Sequence, residues 1–487
     1  MTISRQFLFV FLTIFLNVTI LLAQPPDTVW TRTYGGSGQD WARSVCETSD
    51  SGLIIVGTTD SFGAGERDVY VIRTDSFGDT LWTRTYGGEE WDLGASILQS
   101  ANGEYVITGY TFSYGAGSCD LYLLKIDSAG DTVWTKTYGG ENWDSGVIVR
   151  QGTDGGYIIL GDTESFGSGY HDIWLLKTNE VGDTLWTKTF GGDYSELAGS
   201  VSQTSDDGYI IAGTTDLIPS MTYVYLIKTD SRGDRLWSRS IPCGDEVLAR
   251  SVAQTSDGGY IVGVSSFSYS DYDWDICLLK TYPNGDSAWA RIFGGAESDQ
   301  VFSIGLAGDG GYVLGGFTES LGAGSEDVYV IKTDSQGIEN WSAVYGGTSD
   351  DRCYSVSQAS DEGYVIAGSS YSFGEGNGDA WLLRLDSETG LSGKEVESLP
   401  WRFTFQQNYP NPFNPSTTIS YRLPEQSDIS LSVFNLLGQQ VATIYDGSQV
   451  AGEHRVTWDA SAFPSSVYFV KLEAGGWSET VKMVLLK

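Results

Sequence analysis

A tryptophan-centred motif that returns about every 52 residues strongly limits what this chain can fold into. The motif has the form Val/Leu-Trp-Thr-Lys/Arg-Thr-Tyr-Gly-Gly, and seven units span residues 27–386. Self-similarity at such a period indicates a fold that stacks one supersecondary unit many times. The tryptophans of the seven units are Trp30, Trp82, Trp134, Trp186, Trp237, Trp289 and Trp341.

Each unit contains four strand-like runs. The third and fourth runs, such as Tyr157–Gly161 and Asp120–Lys125, are apolar at nearly every position. Such runs indicate sheets that are covered on both faces. Tight Gly- and Asp-containing turns, such as Thr255–Gly259 and Asp75–Asp79, follow the second and fourth runs. The sequence therefore predicts four-stranded antiparallel meanders whose outermost strand carries the tryptophan of the following unit.

Seven such sheets predict an all-β fold, a seven-bladed β-propeller. The seventh unit supplies three strands and ends near Leu385, whereas the Trp30 strand at the front has no sheet of its own. Because a free sheet edge invites aggregation, we predict that the Trp30 strand completes the seventh sheet and closes the ring. An open solenoid would need capping units, and the repeat shows none.

One turn and the strand after it carry a family resemblance, and the residues that match are Asp75, Gly78, Asp79, Leu81 and Trp82. They resemble the tryptophan-docking repeat of quinoprotein-type propellers, which implies that the seven tryptophans pack between adjacent blades. The resemblance extends to no quinone site and to no catalytic residue.

The first 23 residues have the pattern of a secretory signal peptide. Arg5 is followed by the apolar run Phe7–Leu22, and Ala23 precedes a plausible cleavage point. An uncleaved anchor is the alternative, although this run is shorter than the roughly 20 residues that a spanning helix prefers. We therefore expect export from the cytoplasm.

The end of the chain differs from the repeat. Residues 387–402 are polar and contain glycine, as a linker does, and residues 403–487 contain six or seven short strand-like runs. That density of short strands predicts a small immunoglobulin-like sandwich after the propeller.

Four motifs stand out in this tail: Asn408–Pro415, Val433–Gly438, Gly452–Trp458 and Val467–Phe469. They resemble the C-terminal sorting domain of type IX secretion cargo, a family that overlaps with the Ig-like domain of flagellar hook-assembly proteins. One departure is Ser466, where the family usually has glycine. The resemblance implies passage of the inner membrane, recognition by outer-membrane secretion machinery, and release or attachment at the cell surface. An Ig-like accessory domain without a sorting role is the alternative.

Composition excludes several function classes. With 28 Lys and Arg against 63 Asp and Glu, the net charge is −35, which disfavours nucleic acid and anionic membrane surfaces as partners. Only two histidines, His171 and His454, argue against His-based metal sites and Ser-His-Asp catalysis. The five cysteines are odd in number and scattered, so they form no disulfide framework, although a pair such as Cys243 with Cys277 stays open.

Two connections of about ten residues lie on one rim of the predicted propeller, which makes that rim the candidate functional face. Acidic residues recur there ten and 38 residues after the tryptophans. They could form rings that bind cations or cap loop N–H groups once per blade, and their regular recurrence favours capping. The two sets are Asp40, Asp92, Asp144, Glu196, Asp299 and Asp351, and Asp68, Asp120, Asp172, Asp275, Asp327 and Asp379.

The long loop of unit five, Phe267–Asp275, breaks the symmetry of the repeat. Aromatic faces beside carboxylates suit a sugar or a cationic peptide. In an extended strand three of its aspartates would share one side and could bind calcium. Sequence drift, with aromatics covering the blade edge, is the alternative. The candidate ligand-binding residues are Tyr269, Asp271, Tyr272, Asp273 and Trp274, and the candidate calcium ligands are Asp271, Asp273 and Asp275.

We therefore expect a secreted or cell-surface, non-catalytic binding or scaffold propeller, a monomer with a glycan or protein ligand. The sequence contains no G-x-S-x-G, phosphate-loop or H-E-x-x-H motif. One alternative is an extracellular polysaccharide hydrolase or lyase, since two carboxylates suffice for glycoside chemistry. Another is a calcium-stabilised structural spacer.

Overall fold

The computed structural model describes residues 25–218, 221–270, 272–387, 404–405, 413–423, 427–449, 452–474 and 477–486. The predicted signal peptide 1–23 lies outside these ranges, as does the predicted linker 387–402 apart from its first residue. The chain divides into two compact units, Met1–Gly390 and Leu391–Lys487. Within the described ranges the structure is built of strands, and no helix there is long and apolar enough to cross a membrane.

The first unit consists of seven four-stranded antiparallel sheets, here called blades one to seven, each given from its inner to its outer strand. Blade one consists of β2 (Asp40–Glu47), β3 (Leu53–Thr59), β4 (Asp68–Thr74) and β5 (Thr80–Tyr86). Blade two consists of β6 (Asp92–Gln99), β7 (Tyr105–Thr111), β8 (Asp120–Ile126) and β9 (Thr132–Tyr138). Blade three consists of β10 (Asp144–Gln151), β11 (Tyr157–Thr163), β12 (Asp172–Thr178) and β13 (Thr184–Phe190). Blades four and five comprise β14 (Glu196–Gln203), β15 (Tyr209–Ile218), β16 (Met221–Thr229), β17 (Arg235–Ile241); and β18 (Glu246–Gln254), β19 (Tyr260–Ser268), β20 (Asp273–Thr281), β21 (Ser287–Phe293). Blades six and seven comprise β22 (Asp299–Leu306), β23 (Tyr312–Thr318), β24 (Asp327–Thr333), β25 (Glu339–Tyr345); and β26 (Asp351–Gln358), β27 (Tyr364–Ser370), β28 (Asp379–Leu385), β1 (Thr28–Tyr34).

The N-terminal strand completes the last blade. Strand β1 pairs antiparallel with β28, with Trp30 opposite Arg384 and Thr33 opposite Trp381. Blade seven in turn packs on blade one, because Val365 lies in one buried cluster with Ile55 of blade one. The predicted seven-bladed propeller and its closure by the Trp30 strand are therefore confirmed.

The continuous apolar runs arise because each blade is covered on both faces. All residues of β3 and β4 are buried. Ile54 packs with Ile107 of blade two, whereas the adjacent Ile55 packs with Val365 of blade seven. Successive side chains of a strand point to opposite faces, so both must be apolar when both faces meet a neighbouring blade.

The innermost strand of every blade contains a β-bulge at the same place. In β2 the pairing with β3 skips one residue between Ala42 and Ser44, and the other six inner strands skip the equivalent residue. A bulged residue leaves the ladder and bends the strand. The seven skipped residues are Arg43, Ala95, Val147, Gly199, Arg250, Phe302 and Tyr354.

The predicted length of one connection was wrong. Residues 35–39 form a crossover of five residues rather than about ten, since β1 and β2 extend to Tyr34 and Asp40. Residues 60–67, which join β3 to β4, remain the longest connection of this blade. Because neighbouring strands are antiparallel, this loop and the crossover lie on the same rim.

A cation occupies the last position but one of the third strand in each of the seven described blades, and it is buried in all but blade seven, a feature that the sequence analysis did not identify. Lys332 is 1% exposed, and its ammonium lies 2.6 Å from the Asp309 carboxylate in the turn between the first two strands of its blade. Burial of a charge is tolerated when it is paired, so each ion pair fixes one tight turn. The seven pairs are Arg73–Asp50, Lys125–Glu104, Lys177–Asp154, Lys228–Asp206, Lys280–Asp257, Lys332–Asp309 and Arg384–Asp361.

One cysteine pair is joined. Cys243, in the crossover before β18, forms a disulfide with Cys277 in β20, which is the pair that the sequence left open. Cys46, Cys119 and Cys353 carry free thiols.

The second unit is a two-sheet sandwich. One sheet has the order β29 (Thr404–Phe405), β30 (Ser416–Leu423), β33 (Gly452–Asp459), and the other β32 (Gln440–Gln449), β31 (Ser427–Phe434), β34 (Ser466–Ala474), β35 (Trp477–Leu485). Ile419 and Trp458 of the first sheet share one core with Leu431 and Val470 of the second. This face-to-face packing confirms the predicted Ig-like sandwich.

Two motif residues of this tail have clear structural places. Phe413 is 2% exposed, stacks 5.6 Å from Trp458, and donates its backbone N–H to Val484 O at 2.9 Å. Ser466 opens β34 opposite Leu485. Ser466 is thus a strand residue, and a strand position does not require glycine.

Candidate ligand-binding site

The unit-five loop is the tip of an extended hairpin. Pairing between β19 and β20 continues to Ser268 and Asp273, so only residues 269–272 connect the strands. Tyr272 has φ of 58° and donates its N–H to Ser268 O at 2.8 Å. Asp271 lies outside the described residues. The strand extension holds the candidate aromatics on a short, hydrogen-bonded turn.

The aromatic residues of this loop pack around Phe267. Its ring centroid lies 5.4 Å from Tyr269, 6.5 Å from Tyr272 and 5.2 Å from Trp274. Tyr269 is 41% exposed and Tyr272 is 79% exposed, whereas Trp274 is half-buried. The structure therefore brings three of the predicted ligand-binding residues together around Phe267, with two rings open to solvent.

Carboxylates from the preceding crossover and from β18 border this aromatic cluster. Asp245 Oδ2 accepts the backbone N–H of Tyr269 at 2.6 Å. The Tyr269 hydroxyl donates to Glu246, and this hydrogen bond raises the pKa of Tyr269. The cluster is thus an aromatic platform with an acidic border.

Two of the predicted calcium ligands, Asp273 and Asp275, contact different groups. Asp273 is 9% exposed and accepts the Trp274 N–H at 2.7 Å. Asp275 instead lies against Gly294, beside Asp299 of blade six. No group of three metal-ligating side chains occurs within the described ranges, which do not include Asp271. Calcium binding at Asp271, Asp273 and Asp275 stays a prediction.

The two recurring acidic positions meet pairwise across blade boundaries. A Cβ atom on Gly87 would overlap Asp68 of blade one and lie 2.7 Å from Asp92 Oδ2 of blade two. Only glycine fits between these two carboxylates. Six boundaries share this arrangement, with the pairs Asp379–Asp40, Asp68–Asp92, Asp120–Asp144, Asp172–Glu196, Asp275–Asp299 and Asp327–Asp351.

The hydrogen bonds of these carboxylates support the capping interpretation. Asp68 Oδ2 accepts the N–H groups of Ala64 and Gly65 at 2.8 and 3.3 Å. Asp92 Oδ2 accepts Gly88 N–H and the Ser113 hydroxyl, both at 2.7 Å. Each pair therefore fixes a long loop and a crossover at one boundary.

Burial changes the acidity of some of these groups. Burial, with Asp40 as the next cause, raises the pKa of Asp379 to about 6. Burial also raises the pKa of Asp68, and its partner Asp92 adds to the effect. Removing a carboxylate from water and placing it beside another both disfavour the charged form.

The boundary between blades four and five departs from this pattern. In the strand register Tyr223 and Val247 replace the two acids. The hydroxyl of the neighbouring Thr222 bonds both the backbone N–H and the backbone carbonyl of Val247. The glycine pair of the crossover is also replaced here, by Pro242 and Cys243. The crossover glycines and the paired acids are both absent from this boundary, because a glycine is needed only where it lies between two carboxylates.

The repeated tryptophans lie against the next blade. Trp82 of β5 donates its indole N–H to Ser128 O at 3.3 Å, and its ring lies 6.4 Å from Tyr105, both in blade two. Gly130 faces the same indole. The equivalent contacts join Trp30 to Gly78, Trp134 to Gly182, Trp186 to Gly233, Trp237 to Gly285 and Trp289 to Gly337, while Trp341 stacks on Tyr364.

A row of rings and guanidinium groups on blades seven, one and two escaped the sequence analysis. The Arg67 guanidinium lies 5.1 Å from the Trp41 ring and 4.8 Å from the Trp91 ring. Arg43 lies 5.4 Å from Trp41 and 4.4 Å from Tyr354. These residues differ between repeat units, and comparison of equivalent positions would have been the signal.

The fold and the tail together define a propeller protein that carries a sorting sandwich. Residues 407–486 match the family model described as the secretion system C-terminal sorting domain. The chain therefore carries a type IX sorting domain, which indicates export to the cell surface or extracellular space and interaction with the type IX machinery.

Much of the chain is similar to a curated protein and to several solved structures. The regulatory protein FlaEY of Caulobacter vibrioides is 23% identical over an alignment of 393 positions that covers 73% of this chain and 36% of FlaEY. The chain thus spans about a third of that relative's length. PorZ, a surface component of the type IX secretion system of Porphyromonas gingivalis, is 12% identical with a TM-score of 0.45 over 93% of this chain and 60% of PorZ. A puromycin hydrolase is 14% identical with a TM-score of 0.47 over 80% and 59% of the two chains.

Proposed function

We propose that this chain is a non-catalytic binding propeller, carried to the cell exterior by its tail, whose unit-five loop binds a glycan or protein ligand. The observation that supports this is the aromatic cluster around Phe267, with the Tyr269 and Tyr272 rings open to solvent. Exposed aromatic rings on a short turn offer contact area at low entropy cost.

The neighbouring carboxylates suit this role. Asp245 and Glu246 border the rings and already hold Tyr269 through hydrogen bonds. Sugar hydroxyls or a cationic side chain could reach the same carboxylates while stacking on the rings. We further propose that the propeller acts as a monomer, which light scattering on the purified protein tests.

The alternative polysaccharide-active enzyme needs two carboxylates on either side of a glycosidic bond. The recurring acids, such as Asp68 and Asp92, are buried and accept loop N–H groups. Because these carboxylates already accept hydrogen bonds from loop N–H groups, they favour binding over hydrolysis as the function. Turnover of a glycan that Asp273→Asn abolishes would contradict the non-catalytic proposal.

Glycan and protein arrays, probed with the full chain in the presence and absence of calcium, test the proposal. A ligand that Tyr272→Ala and Trp274→Ala each lose would support it. Tyr170→Ala is the matched control, because Tyr170 is 78% exposed on the unit-three loop. Ligands that bind all variants equally, or no ligand in either condition, would contradict it.

A further inference from the structure

The seven bulged residues of the inner strands are not alike. Arg43, Arg250, Phe302 and Tyr354 belong to blades one, five, six and seven, whereas Ala95, Val147 and Gly199 belong to blades two, three and four. All seven are half-buried. One side of the ring of inner strands therefore carries large side chains, and the opposite side carries small ones.

The large side chains contact one another in a row. The Arg250 guanidinium lies 5.0 Å from the Phe302 centroid, and the Phe302 and Tyr354 rings lie 5.2 Å apart. Arg43 follows, 4.4 Å from the Tyr354 centroid. The row crosses four successive inner strands, the strands that surround the axis of a propeller.

Arg43 and Arg250 stand on the inner strands of two blades that are not neighbours, because blades six and seven lie between blade five and blade one. The inner strands of a propeller surround its axis, so both arginines border the axial space that these strands enclose. At the same position, the opposite side of the ring carries only the small residues Ala95, Val147 and Gly199.

The two arginines lack a counter-charge from the protein. Within the described ranges no carboxylate lies within 4 Å of either guanidinium, and Arg250 Nε is buried with no hydrogen-bond partner. Burial and the Arg43 charge both lower the pKa of Arg250. By contrast, Arg67 and Arg73 lie 2.8 and 2.6 Å from Asp60 and Asp50.

An unpaired charge that is partly removed from water is costly, and this chain has 63 acidic residues from which a partner could have come. Two guanidinium groups at the ends of one aromatic row, without a carboxylate partner in a protein of net charge −35, can be neutralised by an anion from outside. Guanidinium groups bind planar and tetrahedral oxyanions well because their N–H donors form a fork.

We propose that Arg43 and Arg250 form an anion-binding site in the axial channel, which takes a carboxylate, sulfate or phosphate group of a ligand. Phe302 and Tyr354 hold the two guanidinium groups in place by stacking. This site is separate from the unit-five loop and stands whether or not that loop binds a ligand.

Calorimetry and thermal melting of the full chain test the site with sodium sulfate, phosphate, acetate and glucuronate, against chloride at matched ionic strength. Wild-type protein should give saturable binding and a higher melting temperature with at least one probe. Arg43→Gln and Arg250→Gln should each weaken that binding at least tenfold, since each removes charge-assisted hydrogen bonds. Tighter binding of glucuronate than acetate would identify an acidic sugar as the source, whereas a preference for sulfate or phosphate would identify an ester.

Arg291→Gln is the matched control. Arg291 stacks on Trp289 at 5.0 Å in the outer strand of blade five, so its loss should leave binding unchanged. Without an anion, both channel variants should melt no lower than wild type, because each removes an unpaired charge. If the glutamine variants fold poorly, Arg43→Lys and Arg250→Lys replace them, because lysine keeps the positive charge. Each lysine variant should retain part of the affinity. Absence of saturable binding by any probe, or equal binding by wild type and the channel variants, overturns the proposal.

Discussion

Glu47 of blade one accepts two hydrogen bonds from Ser360 of blade seven, from the backbone N–H at 2.8 Å and from the hydroxyl at 2.7 Å. The residues are 313 positions apart, yet the contact repeats those of other boundaries. Gln99 Oε1, for example, accepts Ser49 N–H at 2.9 Å. The closing boundary is therefore built like the rest of the ring.

Loss of Glu47 should weaken this closure. We expect Glu47→Ala to lower the free energy of unfolding by about 1–2 kcal/mol, since two hydrogen bonds are lost. Glu47→Gln should cost less, because a glutamine such as Gln99 accepts the equivalent hydrogen bond at another boundary. Urea denaturation measures the effect, with Gln151→Ala as control, since Gln151 accepts one hydrogen bond across its boundary, from Ala101 N–H at 3.2 Å, and donates one to Gly155 O of its own blade at 3.4 Å. Equal costs for both alanine variants would contradict a larger contribution from the two bonds that Glu47 accepts across the closing boundary.

Trp341 should be the most sensitive of the repeated tryptophans. It is 1% exposed, whereas Trp82 is half-buried. We expect Trp341→Ala to destabilise the propeller by about 3–5 kcal/mol, as large-to-small core substitutions do. Trp82→Ala should cost clearly less. Chemical denaturation of the two variants checks the order, and a larger loss for Trp82→Ala would contradict it.

Gly87 tests the packing between paired carboxylates. Gly87→Ala should cost about 2–3 kcal/mol, because its Cβ would overlap Asp68. Asp68→Ser in the same chain should relieve part of that cost. Gly103→Ala is the control: Gly103 has φ of 84° and nothing within 4 Å, so only about 1 kcal/mol of backbone strain is expected. Additive costs for the Gly87 and Asp68 substitutions would exclude the steric explanation.

The repeat predicted the blades and their closure because tryptophan spacing and the surplus strand are visible along the chain. The pairing of Asp68 with Asp92 was not predictable in the same way. The two sets of acidic residues recur at different distances from the tryptophans. Only the packing of neighbouring blades brings one member of each set to the same glycine.

The channel arginines were hidden for a related reason. Arg43 and Arg250 each stand 13 residues after a repeat tryptophan, Trp30 and Trp237, so their equivalence is visible in the sequence. Only the packing of neighbouring inner strands shows that Phe302 and Tyr354, which come from other units, lie against them. The unit-five cluster was visible because its symmetry breaks within one continuous loop, Phe267–Asp275.

The pH dependence of stability should have a maximum near pH 4. Burial raises the pKa of Asp162 to about 7 and that of Asp379 to about 6, so the folded state favours their protonated forms and stability falls as pH rises above about 4. The pKa of Asp206 and Asp257 is lowered to about 2, mainly by Thr204, Thr255 and the paired lysines against the effect of burial, so their contribution is lost as pH falls from about 4 to 2.

Melting temperatures from pH 3 to pH 8 check both limbs of this curve. Asp162→Asn should raise the melting temperature at pH 8 and flatten the upper limb, since the uncharged amide needs no proton. Asp127→Asn, in a surface turn of blade two, should leave the shape of the curve unchanged. A melting temperature that rises steadily from pH 5 to pH 8 in wild type would contradict the prediction.

The tail presents two leucines that its own core does not use. Leu436 and Leu437 are 65% and 82% exposed in the turn between β31 and β32. Asn435 fixes that turn by accepting the N–H groups of Leu437 and Gln439 at 2.9 and 3.0 Å. Exposed apolar residues on a rigid turn favour contact with another protein, and the sorting domain places the type IX machinery at this tail.

We therefore expect Leu436→Ser with Leu437→Ser to reduce the exported fraction of the protein severalfold while the free energy of unfolding changes by less than about 0.5 kcal/mol. Leu81→Ser is the control, because Leu81 is 58% exposed on the propeller rather than on the tail. Immunoblots of periplasmic and extracellular fractions measure export. Unchanged export of the double variant would show that the machinery reads another surface of the sandwich, whereas a loss of stability would mean that the leucines support the fold.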